Sequence, residues 1–286
     1  MSVAVADARR VARGMTRRHD ENFPVAFMLL PRDLRADMRA IYAFCRGVDD
    51  LGDDGGADRL ALLDAFELDL HRCWDGAPED LRLQALAGTV RRHAMNPDPF
   101  LRLVEANRMD QRQNRWPTYP DLVDYCRHSA TPVGEMVLAV LGHRDAGRIA
   151  LSDHTCIGLQ LVNFWQDIRR DLTDNDRVYL PAEDMERFGV TEADLAGPSA
   201  HDGTRALIAF QVARARAELI AGAPLARLVT LRARHDLRMF TAGGLALCDA
   251  IARQGYDTLA SRPAPGRLGR ARIALDVMLG MLRRSR

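Results

Sequence analysis

The chain has 286 residues, 47% of them hydrophobic, and carries 40 basic against 39 acidic residues for a formal net charge of +1. Length and apolar content suffice for a sizeable buried core, which excludes a disordered chain, and the balanced charge gives no polyelectrolyte drive toward nucleic acid. Every basic residue is arginine; the absence of lysine reads as a compositional bias, although arginine also suits paired contacts to phosphate. The five cysteines (Cys45, Cys73, Cys126, Cys156 and Cys248) are scattered and form no CxxC pair. That argues against a disulfide framework and a zinc site and fits a reducing cytoplasm. Met1 to Arg18 has two arginine-rich patches but no apolar signal core, and no run reaches the length of a membrane span.

Helical periodicity dominates and strand-like alternation is nearly absent. Glycine and proline punctuation predicts helices near 3–18, 32–54, 57–75, 79–94, 97–112, 119–142 and 147–172, then near 202–221, 224–258 and 267–284. The segment from Ala57 to Leu70, with Leu60, Leu62, Leu63, Phe66 and Leu70, shows the broad apolar stripe of a helix packed in a bundle. Pro24 and Pro31 confine any helix between them, while Asp174-Asn175-Asp176 and Gly197-Pro198 mark loops. No linker, composition shift or repeat divides the chain. The expectation is one all-α domain over 1–286, a helical bundle around a central cavity.

Two acidic stripes stand out, Asp49-Asp50-Leu51-Gly52-Asp53-Asp54 and Asp167-Ile168-Arg169-Arg170-Asp171, more than a hundred residues apart. At about 100° per residue, Tyr42, Arg46, Asp49 and Asp53 fall within roughly 60° of one another. Gln160, Asn163, Phe164, Asp167 and Asp171 share a face about 100° wide. An ordinary surface helix interleaves its acids with bases; here each polar stripe carries an aromatic instead. Brought face to face, the stripes would clamp a diphosphate through magnesium. Asp50 and Asp54 point about 80 to 120° away from Tyr42, which gives them supporting or solvent roles, and Trp165 points about 140° from Gln160, toward packing.

These stretches resemble the squalene/phytoene synthase family of head-to-head prenyl synthases. The likeness rests on Tyr42-Ala43-Phe44-Cys45-Arg46-Gly47-Val48-Asp49-Asp50 and on Leu159-Gln160-Leu161-Val162-Asn163-Phe164-Trp165-Gln166-Asp167, followed by Asp171 and Arg177-Val178-Tyr179-Leu180-Pro181. His19-Asp20-Glu21-Asn22-Phe23-Pro24-Val25-Ala26, Asp110-Gln111 and the stretch from Tyr125 to Gly134 extend it to roughly residues 15 to 260. Within the family, Glu21 to Ala26 and Asn163-Phe164-Trp165-Gln166-Asp167 look like the bacterial hopanoid-pathway hydroxysqualene synthases, whose sister enzymes usually read Asn-Ile-Leu-Arg-Asp at the second place.

The resemblance implies an isoprenoid synthase bundle and a prenyl diphosphate substrate, presqualene diphosphate or farnesyl diphosphate. Asp49, Asp53, Asp167 and Asp171 are the expected magnesium ligands, because hard carboxylate-held cations neutralise a departing diphosphate. Asn163 joins them as a ligand and, with Gln160, as a neutral amide able to orient diphosphate or water. Arg46 and Arg177 are candidates for diphosphate contact. His19 and Asn22 match positions near the diphosphate pocket, and Phe23 matches its apolar wall; Asp110 and Tyr179 match positions contacting metal, water or diphosphate. Tyr42, Phe23, Tyr125 and Phe164 are expected to line the cavity and stabilise a cation through their ring faces. Ser129, Ala130, Val133 and Gly134 resemble the small-residue stretch along which an isoprenoid tail lies.

No glycine-rich dinucleotide fingerprint occurs, and NADPH is not expected. The reading is conversion of presqualene diphosphate and water to hydroxysqualene and diphosphate, in the cytoplasm, beside an enzyme that supplies presqualene diphosphate. Two alternatives stay open: condensation of two prenyl diphosphates to presqualene diphosphate, squalene or phytoene, and a non-catalytic helical assembly factor on the same fold. The C-terminal segment Arg267 to Arg286 mixes apolar residues with arginines, consistent with a closing helix or with peripheral contact at the inner membrane surface.

Overall fold

In the computed structural model of the protein, residues 30–54 and 56–266 are described. The helices expected near 3–18 and 267–284, and the candidates His19, Asn22 and Phe23, lie outside them. Regular structure among the described residues is helical, and the one extended pairing is an isolated parallel bridge between Arg115 and Val178. The all-α expectation holds. The described residues form two compact units, one comprising the chain up to Arg112 with Arg127–Ile149, the other Gln113–Cys126 with the chain from Ala150 onward.

In the first unit α1 (Arg32–Asp54) packs on α2 (Arg59–Asp75), α3 (Leu81–Arg92), α4 (Asp98–Arg112) and, beyond α5 (Tyr119–Ser129), on α6 (Thr131–Val140). The reason is legible in its spacing: Met38, Ile41, Phe44 and Val48 recur at helical intervals and are all 2% exposed or less. Burying each such side chain contributes about 1.5–3 kcal/mol. Phe44 meets Phe100 edge-on at 5.2 Å and stacks near Phe66 at 6.1 Å. Asp37, buried on the same helix, accepts from Thr89 Oγ1 at 2.9 Å, lies 2.9 Å from His93 Nε2 and pairs with Arg92. A buried carboxylate is tolerated only when it is partnered in this way.

In the second unit the long helix α7 (Ala146–Asn175) is buried around most of its circumference, and α10 (Asp202–Gly222) packs on α12 (Leu231–Arg253). Residues 114–118 run alongside 177–183: Val178 N donates to Asn114 O at 2.9 Å and Ala182 N to Trp116 O at 2.9 Å. Arg115 ties this junction to Asp176 and Glu192 at 2.8 and 2.6 Å. Two short helices, α8 (Ala182–Arg187) and α9 (Glu192–Leu195), come next; Asp184 on α8 is gripped by Gln211 and Arg214 of α10.

The helices expected within the described residues are present, the short α8 and α9 are not among those expected, and helix continuity departs from the sequence pattern at two places. The expected helix over 119–142 is broken at Ala130 into α5 (Tyr119–Ser129) and α6, because Pro132 sits in the first turn of α6 and cannot donate backward. Arg102 fixes the break, donating to Arg127 O at 2.9 Å and to Thr131 Oγ1 at 3.3 Å. The expected helix over 224–258 is split into α11 (Leu225–Leu228) and α12, with Val229 extended between them. Conversely, α7 runs through the Asp174-Asn175 loop signal and stops only at Asp176, whose φ of 53° is left-handed.

Substituting Asp37 by Ala orphans Thr89 and His93 in the interior and is expected to cost about 3 kcal/mol in urea unfolding. Asp37→Asn, which keeps an acceptor, should lose less.

Candidate active site

In the first unit α1 presents Tyr42, buried, then Arg46, Asp49 and Asp53 at successive turns. Arg46 Nε lies 2.9 Å from Asp50 Oδ1, so the helix carries its own counter-charge one turn on. Two neutral amides of α4 hold the acidic end. Asn107 Nδ2 donates to Asp49 Oδ1 at 3.4 Å and to Leu103 O at 3.2 Å, and Gln111 Nε2 donates to Gly52 O at 3.0 Å. The approach needs glycine at 52, since a Cβ there would stand 2.2 Å from Asn107 Oδ1. Asp49 is half-buried and Asp53 exposed; Asp110 is half-buried on α4. Ser129 and Val133 are half-buried at the α5–α6 junction, and Ala130 and Gly134 are buried.

In the second unit Asp167 is buried, and Asp171 stands one turn later on α7. Both oxygens of Asp167 accept from Arg262, Nε at 2.6 Å and Nη2 at 2.9 Å, the bidentate geometry that guanidinium and carboxylate favour. Arg170 Nη2 reaches Asp167 at 3.2 Å and Asp171 at 3.9 Å. Burial, and then the negative charge of Asp167, push the Asp171 carboxyl up to about 7 against the partial relief given by Arg170, Arg177 and Arg262. A carboxyl raised in this way adds stability that is fully present below the ordinary value of 3.8 and is lost as pH rises through about 7.

Beside the pair stands an aromatic wall. Phe164 and Tyr179 stack at 3.7 Å and 8°, Tyr125 lies 5.8 Å from Tyr179 and 6.3 Å from Phe164, and Trp116 backs Tyr125 at 4.6 Å. A small cleft is lined by Phe164, Asp171, Arg177 and Tyr179. The residues expected on one face of α7 are graded across it: Phe164 and Asp167 are buried, Gln160 is half-buried and Asn163 is exposed at the edge of the arc. Trp165 is fully buried, the packing role its direction implied.

Each unit thus offers an i, i+4 pair of carboxylates, Asp49 with Asp53 and Asp167 with Asp171, whose hard oxygens suit a divalent ion. Among the described residues no three His, Cys, Asp or Glu side chains close into a metal-binding group. Pairs are still a fitting donor set for magnesium, which keeps several waters and completes its shell with substrate phosphate. The like-charge strain at Asp171 is what such a cation relieves. The thiols of Cys73 and Cys248 are unsuited to chemistry: burial pushes Cys73 up to about 12 and Cys248 up to about 11.

Sequence reasoning passed over Arg262, Arg170, Asn107 and Gln111 as functional groups. Arg170 and Gln111 lie inside the motif stretches themselves. Arg262 meets Asp167 across 95 positions of sequence, and its own neighbourhood, Ser261-Arg262-Pro263, carries no signal of that contact.

The family model described as squalene/phytoene synthase matches residues 16–272. The chain belongs to the squalene/phytoene synthase family. A 15-cis-phytoene synthase of Synechococcus elongatus is 34% identical over 227 residues, spanning 74% of this chain and 73% of the relative. A hydroxysqualene synthase of Zymomonas mobilis is 36% identical over 182 residues, 62% of this chain and 60% of the relative. Among solved structures, squalene synthase HpnC from Alicyclobacillus acidocaldarius superposes with a TM-score of 0.84 at 45% identity, covering 90% of this chain and 97% of that one. Membership makes the chain an enzyme of isoprenoid biosynthesis acting on prenyl diphosphates, on the all-α fold of its structural neighbours.

Removing the charge of Asp167 lowers the titration of Asp171, since one cause of the upward shift disappears while burial remains. In Asp167→Asn the Asp171 carboxyl is expected to titrate below about 7, read by carboxyl carbon NMR on aspartate-labelled protein. An unchanged midpoint would assign the whole shift to burial.

Proposed function

We propose that the chain ionises presqualene diphosphate and captures the cation with water, giving hydroxysqualene and diphosphate. The carbon–oxygen bond breaks with its electron pair on the diphosphate, water oxygen forms the new bond, and its proton leaves to diphosphate or solvent. The observation that carries this reading is the Asp167 and Asp171 pair, attended by Arg170, Arg177 and Arg262, beside the stacked rings of Phe164 and Tyr179. Such a site joins charge able to engage a diphosphate through cations to ring faces able to stabilise a carbocation.

Asp49, Asp53, Asp167 and Asp171, with the amide oxygen of Asn163, are the residues that would hold magnesium, which when bound neutralises charge developing on the leaving group. Arg46 and Arg177 contribute paired donors to phosphate oxygens. Gln160 and Asn163, on the more open side of α7, would order the attacking water. The finer choice of product is supported by Asn163-Phe164-Trp165-Gln166-Asp167, by its likeness to hydroxysqualene synthases, and by a relative of that name. It sets the protein in hopanoid biosynthesis after a presqualene diphosphate synthase, without NADPH.

A second reading, head-to-head condensation, is favoured by phytoene synthases of comparable similarity. Purified protein with presqualene diphosphate and magnesium but no NADPH is expected to yield hydroxysqualene, detected by mass spectrometry. If no alcohol forms and farnesyl or geranylgeranyl diphosphate is condensed instead, the first reading gives way to the second.

Asp49→Asn and Asp167→Asn should each lower turnover by roughly a thousandfold, about 4 kcal/mol of transition-state stabilisation, with circular dichroism unchanged. Phe164→Leu, which removes the ring stacked on Tyr179, should alter product distribution more than the magnesium dependence.

A further inference from the structure

The corner between α10 and α12 carries an apolar and cationic surface that the acidic pairs and the aromatic wall do not use. We propose that this corner, Ile220 to Arg234, docks the protein on an anionic lipid bilayer. Its inner side is anchored. Gly222 closes α10 onto α7, where a Cβ would lie 2.2 Å from Thr155 Oγ1 and 2.7 Å from the Thr155 nitrogen. Leu225, Ala226 and Val229 are buried, and Arg234 Nε donates to Ala226 O at 3.1 Å. With those residues turned inward, Ile220, Leu228 and Leu231 are left 58, 47 and 58% exposed. A packed turn therefore holds three large apolar side chains outward at considerable hydration cost.

Charge identifies the occupant. Residues 219–235 contain Arg227, Arg232 and Arg234 and no acid, in a chain with 39 acidic residues. Arg227 is exposed and forms no ion pair among the described residues. Apolar side chains entering the headgroup boundary, with the exposed Arg227 beside them, match a negatively charged leaflet. The exposed leucines of α2 make the contrast: Leu60, Leu62 and Leu68 stand among Asp58, Asp64, Glu67 and Asp69, which such a leaflet repels. No described helix is long and apolar enough to cross a membrane, so the contact is peripheral. The inference rests on this surface and not on the proposed reaction.

Flotation of the full chain with phosphatidylcholine vesicles, with and without phosphatidylglycerol, tests it. Binding is expected only with phosphatidylglycerol and should weaken in high salt. Leu228→Ser with Leu231→Ser should reduce the bound fraction at least about tenfold. Arg227→Gln, a fully solvated change, should reduce it about fivefold. Leu68→Ser should float like wild type. Wild type remaining unbound, either corner variant binding as well as wild type, or equal loss in Leu68→Ser would overturn the proposal. So would a dimer, seen by light scattering, that the double variant dissolves without any vesicle binding.

Discussion

Two carboxylates one helical turn apart, one of them buried, constrain everything around the end of α7. Left alone, Asp167 and Asp171 would repel each other in a poorly solvated place, and the Asp171 carboxyl rises to about 7 for that reason and for its burial. The chain answers with guanidinium groups from three separate places: Arg170 on the helix itself, Arg177 just past its end, and Arg262 from the far end of the described chain. Their arrival fixes those segments. Gln166, adjacent to Asp167, reinforces the last of them by donating to Pro263 O at 2.5 Å. A pair this costly to bury is uncommon in a purely structural helix, and perturbed carboxyls beside a cleft are a mark of a working site.

The acidic pair on α1 is handled by different physics. Asp53 is exposed and Asp49 half-buried, so water screens much of their repulsion, and the support from α4 is neutral, Asn107 to Asp49 and Gln111 to the backbone of Gly52. Amides orient a carboxylate without competing with an incoming cation for it. At Asp167, by contrast, a cation must contend with a bidentate arginine. The two pairs therefore differ in the supports described for them, although their sequence spacing is the same.

The fold was legible because burial leaves a period in the sequence. Of the stripe that the Ala57 to Leu70 spacing predicts, the structure buries Leu63, Phe66 and Leu70 and leaves Leu60 and Leu62 exposed at its margin. What the period does not record is where a helix ends inside an unbroken apolar pattern. Pro132 breaks the segment after Tyr119, and the extended Val229 breaks the one after Pro224, while the turn-forming Asp174-Asn175 is absorbed into α7 because the final turn continues to Asp176. For the site, periodicity placed Asp167 and Phe164 on one face and Trp165 away from it, because both placements come from 100° per residue. It was blind to Arg262 and Asn107, whose relevance comes only from tertiary contact with a carboxylate on another helix.

In the proposed reaction, ionisation and product choice fall to different residues. In that reaction the acidic pairs serve ionisation of a prenyl diphosphate, a step that a phytoene and a hydroxysqualene product equally require. The fate of the cation, once formed, depends on the groups that face it. On α7 that face grades within one turn from Asn163 at the solvent edge to Phe164, locked against Tyr179 in the wall. In the proposed reaction, an amide beside water and a ring that excludes it, at consecutive positions, would form a boundary at which the cation is either shielded or hydrated. On this proposal, changes at 163–166 would move that boundary without touching Asp167 or Asp171, so that this short stretch, and not the acidic pairs, would select the product.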